Sequence, residues 1–237
     1  MSKLKIFLIC ICTVLLLFFL IIGINSIIRV NILNKIVNKA IQNIEKDNYS
    51  LKTTCKTGDS KTETIAYYRN GIGRYVAENG IYTWTDGKDA YLVDEDNKNI
   101  YILNIEKSPE MLVGNDMYAY LIPGYNKKFF EKMKIVGNMF NSFSTDKIND
   151  VECYKIKINE DKYIKTTWIS KKSLQPVKAL MEFQTGEPLE YEYELKFTSV
   201  KISSIEMPNL DDYKIIDYES KEVIADPANT NEIENNE

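Results

Sequence analysis

The chain has 237 residues, of which 44% are hydrophobic and 27% charged, with 30 basic against 34 acidic side chains and no histidine. That length fits one ordinary domain plus a membrane segment, and the composition is that of a folded chain. The absence of histidine excludes Ser-His-Asp and Cys-His catalysis, His-ligated zinc and a histidine pH switch.

Residues 6–24 carry no charge. At ~1.5 Å per residue they make about 28 Å of helix, close to the ~30 Å hydrocarbon core of a bilayer. Lys3 and Lys5 precede the run, which by the positive-inside rule places the N-terminus in the cytoplasm and the rest outside. A cleaved signal peptide would have a shorter apolar region and a small-x-small exit. The exit here is Gly23-Ile24-Asn25-Ser26, and Ile9 and Ile11 precede Cys10 and Cys12, so neither signal nor lipoprotein cleavage fits well. The expectation is an uncleaved anchor over residues 1–28, an extracytoplasmic domain over 29–218 and an acidic, solvated tail over 219–237.

Residues 29–218 carry 27 basic and 28 acidic side chains. A near-neutral domain is no candidate for nucleic-acid binding, which needs a basic surface. Cys55 and Cys153 fall outside the cytoplasm on this reading, where either one disulfide or two buried thiols fits.

Residues 31–46 place Ile32, Leu33, Ile36, Val37, Ala40, Ile41 and Ile44 at the spacing of a one-faced helix. From Tyr49 the period changes to two. Segments 49–57, 62–69, 72–78, 81–85, 89–94 and 99–105 read as strands, parted by Asn70-Gly71, Asn79-Gly80 and Asp86-Gly87 among other turns. Such dipeptides supply the positive φ of tight hairpins. Short turns predict an antiparallel meander, because parallel pairing needs long crossovers.

Residues 108–144 break this rhythm with Pro109, Gly114, Pro123 and Gly124, and an amphipathic helix is predicted across 127–141. Strands resume at 151–159, 162–169, 176–183 and 188–203, with a short one at 212–218. About ten antiparallel strands in one domain tend to curl toward a barrel or half-barrel.

Sixteen tyrosines and two tryptophans lie mostly on these strands. By parity Tyr82 and Trp84 share a face. Such residues build either a core or an apolar cavity, and sequence alone leaves both open. Asp94-Glu95-Asp96-Asn97 lacks the glycine and late glutamate of a calcium loop and reads as a turn. Glu190, Glu192 and Glu194 read as the wet face of one strand. No metal cluster, phosphate loop or nucleophile motif is present, so no catalytic residue, metal or cofactor is expected.

Two segments carry a resemblance. Trp84-Thr85-Asp86-Gly87-Lys88 through Asp94 is similar to the strand-turn-strand of LolA-like lipoprotein carrier proteins. Trp168-Ile169-Ser170 through Leu174-Gln175-Pro176-Val177-Lys178 resembles their later W-I-D-x-x-T-x-L-P-x-K segment. The resemblance covers roughly 31–205. It implies a mainly β fold: a curved antiparallel sheet, an unclosed half-barrel, wrapped around an N-terminal helix and a helical lid, here preceded by one transmembrane helix. It also implies a hydrophobic cavity holding a lipid or lipoprotein acyl chain without catalysis. Cavity or lid candidates are Arg74, Tyr82, Trp84, Tyr91, Phe129, Met133, Phe140 and Trp168, with Arg74 matching the arginine that ties a carrier's lid. The alternative is an envelope signalling or assembly module that binds a partner membrane protein. A tethered chain departs from the soluble carriers, so shuttling between membranes is not expected.

Overall fold

The structure, a computed structural model, describes residues 3–46, 48–77, 80–104, 121–125, 127–137, 142–159 and 162–227. It is mainly β, with two α-helices and thirteen strands among the described residues. The chain divides into two compact units, residues 1–39 with 122–186 and residues 40–121 with 187–237.

One helix, α1 (Lys3–Ile44), runs unbroken for 42 residues. Its apolar side chains between Ile9 and Ile28 are exposed or nearly so, then the pattern turns one-sided. Val30, Leu33, Ile36, Val37 and Ala40 are buried at the i, i+3, i+4, i+7 spacing, while Asn31, Lys35 and Asn38 stay outside. The predicted span and the predicted 31–46 helix are therefore one element, because no glycine or proline stands between Gly23 and Ile44 to break it.

The first unit adds α2 (Phe129–Gly137) and four strands, β7 (Phe143–Ile148), β8 (Val151–Asn159), β9 (Tyr163–Ser170) and β10 (Pro176–Phe183). They pair antiparallel in the order β10-β9-β8-β7. The β7–β8 hairpin turns on Asn149 and Asp150, both at positive φ (45° and 65°). These side chains tolerate the left-handed region better than most, so the turn closes without glycine.

The second unit holds β1 (Asn48–Thr57), β2 (Ser60–Arg69), β3 (Ile72–Val76), β4 (Ile81–Thr85), β5 (Ala90–Asp94), β6 (Asn99–Leu103), β11 (Leu189–Lys196), β12 (Lys214–Asp217) and β13 (Val223–Ala225). Their order is β13-β12-β6-β5-β4-β3-β2-β1-β11. Strands β1 to β6 form the expected meander, with Asn70 and Gly71 both at positive φ in the β2–β3 turn. Within this unit β13 ends the strand order, with β12 as its pairing neighbour.

Four expectations need correction. The sheet is mixed: β12 runs parallel to β6, with Ile215 opposite Ile100. The chain between them includes β7 to β11, which is ample for a crossover. Residues 143–148 form a strand where the sequence suggested the end of a helical insertion. The strand expected to reach residue 203 ends at Lys196. Val223–Ala225, assigned to the tail, forms the edge strand β13. Residues 105–120, 138–141 and 228–237 lie outside the described residues, and with them about half of the expected lid at 108–144 and the end of the tail.

Candidate functional site

The sequence candidates fall into two groups, one in each unit. In the second unit Arg74, Tyr82, Trp84 and Tyr91 come together on neighbouring strands. Trp84 sits opposite Arg74 on β3 and Tyr91 on β5, and Tyr82 sits opposite Val76 and Val93. The two β4 rings point to one side, as parity requires. There they meet Val93, Ile100 and Tyr213 in a buried cluster, edged by Ile72, Val76, Tyr91 and Met207. Tyr82 is 3% exposed and Trp84 9%. The Trp84 indole nitrogen donates to the Ile205 carbonyl at 2.9 Å, which satisfies the one polar atom that burial would otherwise orphan.

Arg74 lies against this cluster. Its guanidinium carbon stands 3.7 Å from the Tyr82 ring centroid, a close cation–π contact. Nη2 is 3.6 Å from Oε1 of Glu95, whose side chain is half-exposed. The buried Nε has no hydrogen-bond partner. A part-exposed ion pair contributes little, so the ring contact is the stronger constraint on Arg74. Burial pushes the Tyr82 phenol up to about 12, the nearby Arg74 cation opposes it, and the Glu95 carboxylate adds to it. Lys98 Nζ stands 4.8 Å from the Tyr213 ring centroid and 3.5 Å from its hydroxyl.

In the first unit the candidates do not converge. Trp168 on β9 pairs with Lys155 of β8 and Lys178 of β10. Its indole nitrogen donates to Asp146 Oδ2 at 3.0 Å, and the ammonium groups of Lys155 and Lys178 lie 5.2 and 5.7 Å from its ring. That indole bond, first among several donors, holds the Asp146 carboxyl below the usual carboxylate range. The neighbouring register pairs Phe143 with Ile156 and Ile156 with Thr167, so these residues lie on the opposite face from Trp168.

That opposite face receives the helices. Arg29 of α1 stands over the Phe143 ring at 5.9 Å and donates to the Val136 carbonyl at the end of α2 at 3.2 Å. Lys132 of α2 donates to Asn34 of α1 at 2.9 Å. Gly124, at φ 75°, lies so close to Leu33 that a Cβ there would meet its Cδ2 at 3.0 Å. Phe129 and Met133 are on α2; Phe129 is 52% exposed beside Phe130 at 79%. Phe140 lies outside the described residues. A surface depression of about 600 Å³ opens between the 150–152 and 170–173 turns, bridged by the Glu152–Lys171 ion pair at 3.4 Å.

Cys55 and Cys153 are free thiols, one in each unit. Cys153 is buried and burial pushes its thiol up, away from thiolate chemistry. The glutamates of β11 are paired as a wet face, Glu192 with Lys56 at 2.8 Å and Glu194 with Lys196 at 2.7 Å. Among the described residues no group of three or more Cys, Asp and Glu side chains is placed to hold a metal. Sequence reasoning missed Arg29, Glu95, Asp146, Lys132, Ile205 and Tyr213. Only Arg29 had a local signal, as the first charge after the apolar run.

Two outcomes follow from the closed cluster. Trp84→Phe removes the donor to Ile205 and should cost about 1–3 kcal/mol, while Trp84→Ala should cost about 3–5 kcal/mol, measured by urea unfolding. A raised phenol pKa stabilises the fold below the ordinary tyrosine value near 10 and is lost as pH rises toward 12. Stability should therefore fall across pH 10–12, and Tyr82→Phe should flatten that slope and remove an absorbance step near pH 12.

No protein-family model matches the chain, and no curated protein matches it. Among solved structures it is similar to MucB in complex with MucA(peri), at 10% identity and a TM-score of 0.37, over 75% of this chain and 60% of that one. It is also similar to a LolA superfamily protein from Nitrosomonas europaea, at 13% identity and a TM-score of 0.33, over 73% of this chain and 97% of that one. A DUF1329 family protein from Desulfovibrio piger is similar at 8% identity and a TM-score of 0.34, over 73% and 97%. The chain thus spans about three fifths of the MucB chain. The neighbours include the family that the two sequence segments resemble.

Proposed function

We propose that the chain is a membrane-anchored, extracytoplasmic binding module without catalysis, whose occupant is a partner membrane protein. The observation that carries this choice is the closed aromatic cluster. Tyr82 and Trp84, two of the cavity candidates in the sequence, are packed against the chain's own Tyr213 and Met207. A bound acyl chain would have to displace them, at a cost comparable to its own gain of ~0.8 kcal/mol per buried methylene.

The anchor rests on one helix long and apolar enough to cross a membrane, and the orientation on Lys3 and Lys5 ahead of it. A partner has an exposed edge to use. Val223 and Ile224 of β13 are 49% and 58% exposed at the end of the second unit's strand order, and an edge strand offers unpaired backbone groups beside them. The non-catalytic reading is supported by the chemistry of the carboxylates. Glu63, Asp86, Asp94, Asp146 and Glu194 are held below their ordinary values, the opposite of the raised value that a general acid needs.

Two crosslinking experiments on the full chain in membranes test the choice. A photoreactive residue at Ile224 should give one discrete adduct with an integral membrane protein. A photoreactive phospholipid should label residues 6–28 and leave the peptides of β3 to β6 unlabelled. Labelling of the Tyr82–Tyr91 peptide would reverse the choice and make an acyl chain the occupant.

A further inference from the structure

The near-neutral charge of the whole chain hides a division between its units. The unit that contains the candidate span has 17 basic and 7 acidic side chains, and the other has 13 and 27. The excess is concentrated where α1 leaves its apolar run. From Arg29 to Lys39 there are three basic side chains and no acid. From Lys127 to Gly137 there are four lysines and one glutamate.

The contacts between α1 and α2 place these charges by height. Lys132 meets Asn34 and Val136 meets Arg29, so α2 lies antiparallel to α1 with its C-terminal end toward the span. At about 1.5 Å per residue, Arg29 and Lys134 stand within ~5 Å of Ile28. Lys35 and Lys132 stand about 10 Å above it, and Lys128 about 15 Å. A headgroup layer adds roughly 5–7 Å to each side of the hydrocarbon, and the Debye length at physiological salt is about 8 Å. Four cations therefore sit within or just above the headgroups. Lys35 and Lys134 are exposed, and their long stems let the ammonium groups reach downward. The end of α2 that faces the bilayer is a helix C-terminus, which would repel anions through its carbonyls. Arg29 donates to one of those carbonyls, Val136, and reverses the sign at that end.

We propose that this α1–α2 surface rests on the bilayer and binds the headgroups of anionic phospholipids, holding the first unit against the membrane. The proposal rests on the anchor of the preceding section and not on its partner, and it holds for either orientation of the span. The test is amide exchange of the full chain assembled into nanodiscs. Amides of residues 129–137 should exchange at least about threefold more slowly in phosphatidylglycerol discs than in phosphatidylcholine discs. The difference should vanish in 1 M salt, where the Debye length is about 3 Å. The double variant Lys35→Gln with Lys134→Gln should lose most of it, while Lys128→Gln should keep it.

Equal exchange in the two kinds of disc overturns the proposal and leaves the anchor standing. A chain that stays out of the discs overturns both. Protection that is the same in both discs and rises only on adding soluble poly(glycerol phosphate) also overturns it, and assigns the surface to a wall polyanion.

Discussion

The unbroken α1 helix is the constraint on which the rest of the structure depends. Its exposed apolar half and its one-faced packed half share one backbone axis, with no residue between them that would favour a bend. Under the proposed anchoring, a helix of this kind would transmit position and orientation from a bilayer into a folded unit. The unit built around it uses that rigidity: α2 is laid along α1 by Arg29, Asn34 and the close approach of Gly124 to Leu33, and the same arginine reaches the sheet through Phe143. Arg29 thus joins three elements within two turns of the span.

The second unit solves a different problem. A long open sheet must cover its apolar face, and here Tyr82 and Trp84 are covered by chain that returns after β11, through Ile205, Met207 and Tyr213. The parallel strand β12 holds that return in register beside β6. Arg74 stands over the Tyr82 ring. Aromatic residues placed as a cavity lining would be thus serve as a core.

Much of this was legible from local signals. The β1–β6 meander followed from its turn dipeptides, and Asn70-Gly71 has the backbone sign that its hairpin requires. The shared face of Tyr82 and Trp84 followed from period two. What parity cannot give is which face looks inward. Trp168 lies on the face with Asp146, Lys155 and Lys178, away from the helices. Whether an aromatic face is filled or empty depends on long-range partners such as Tyr213, more than a hundred residues from Tyr82 in the chain. The parallel β12–β6 pair is illegible for the same reason. β13 was missed because three residues, Val223-Ile224-Ala225, are too few to show a period against an acidic background.

The most direct test of the account is the continuity of α1 in a bilayer. Spin labels at Phe18 and Asn38, both exposed, would be introduced after replacing the four cysteines, with the chain reconstituted in nanodiscs. A straight helix places the two labelled backbones about 30 Å apart, so electron–electron dipolar spectroscopy should give one narrow distribution near that distance. A broad or much shorter distribution would show a hinge between span and domain and would contradict the account.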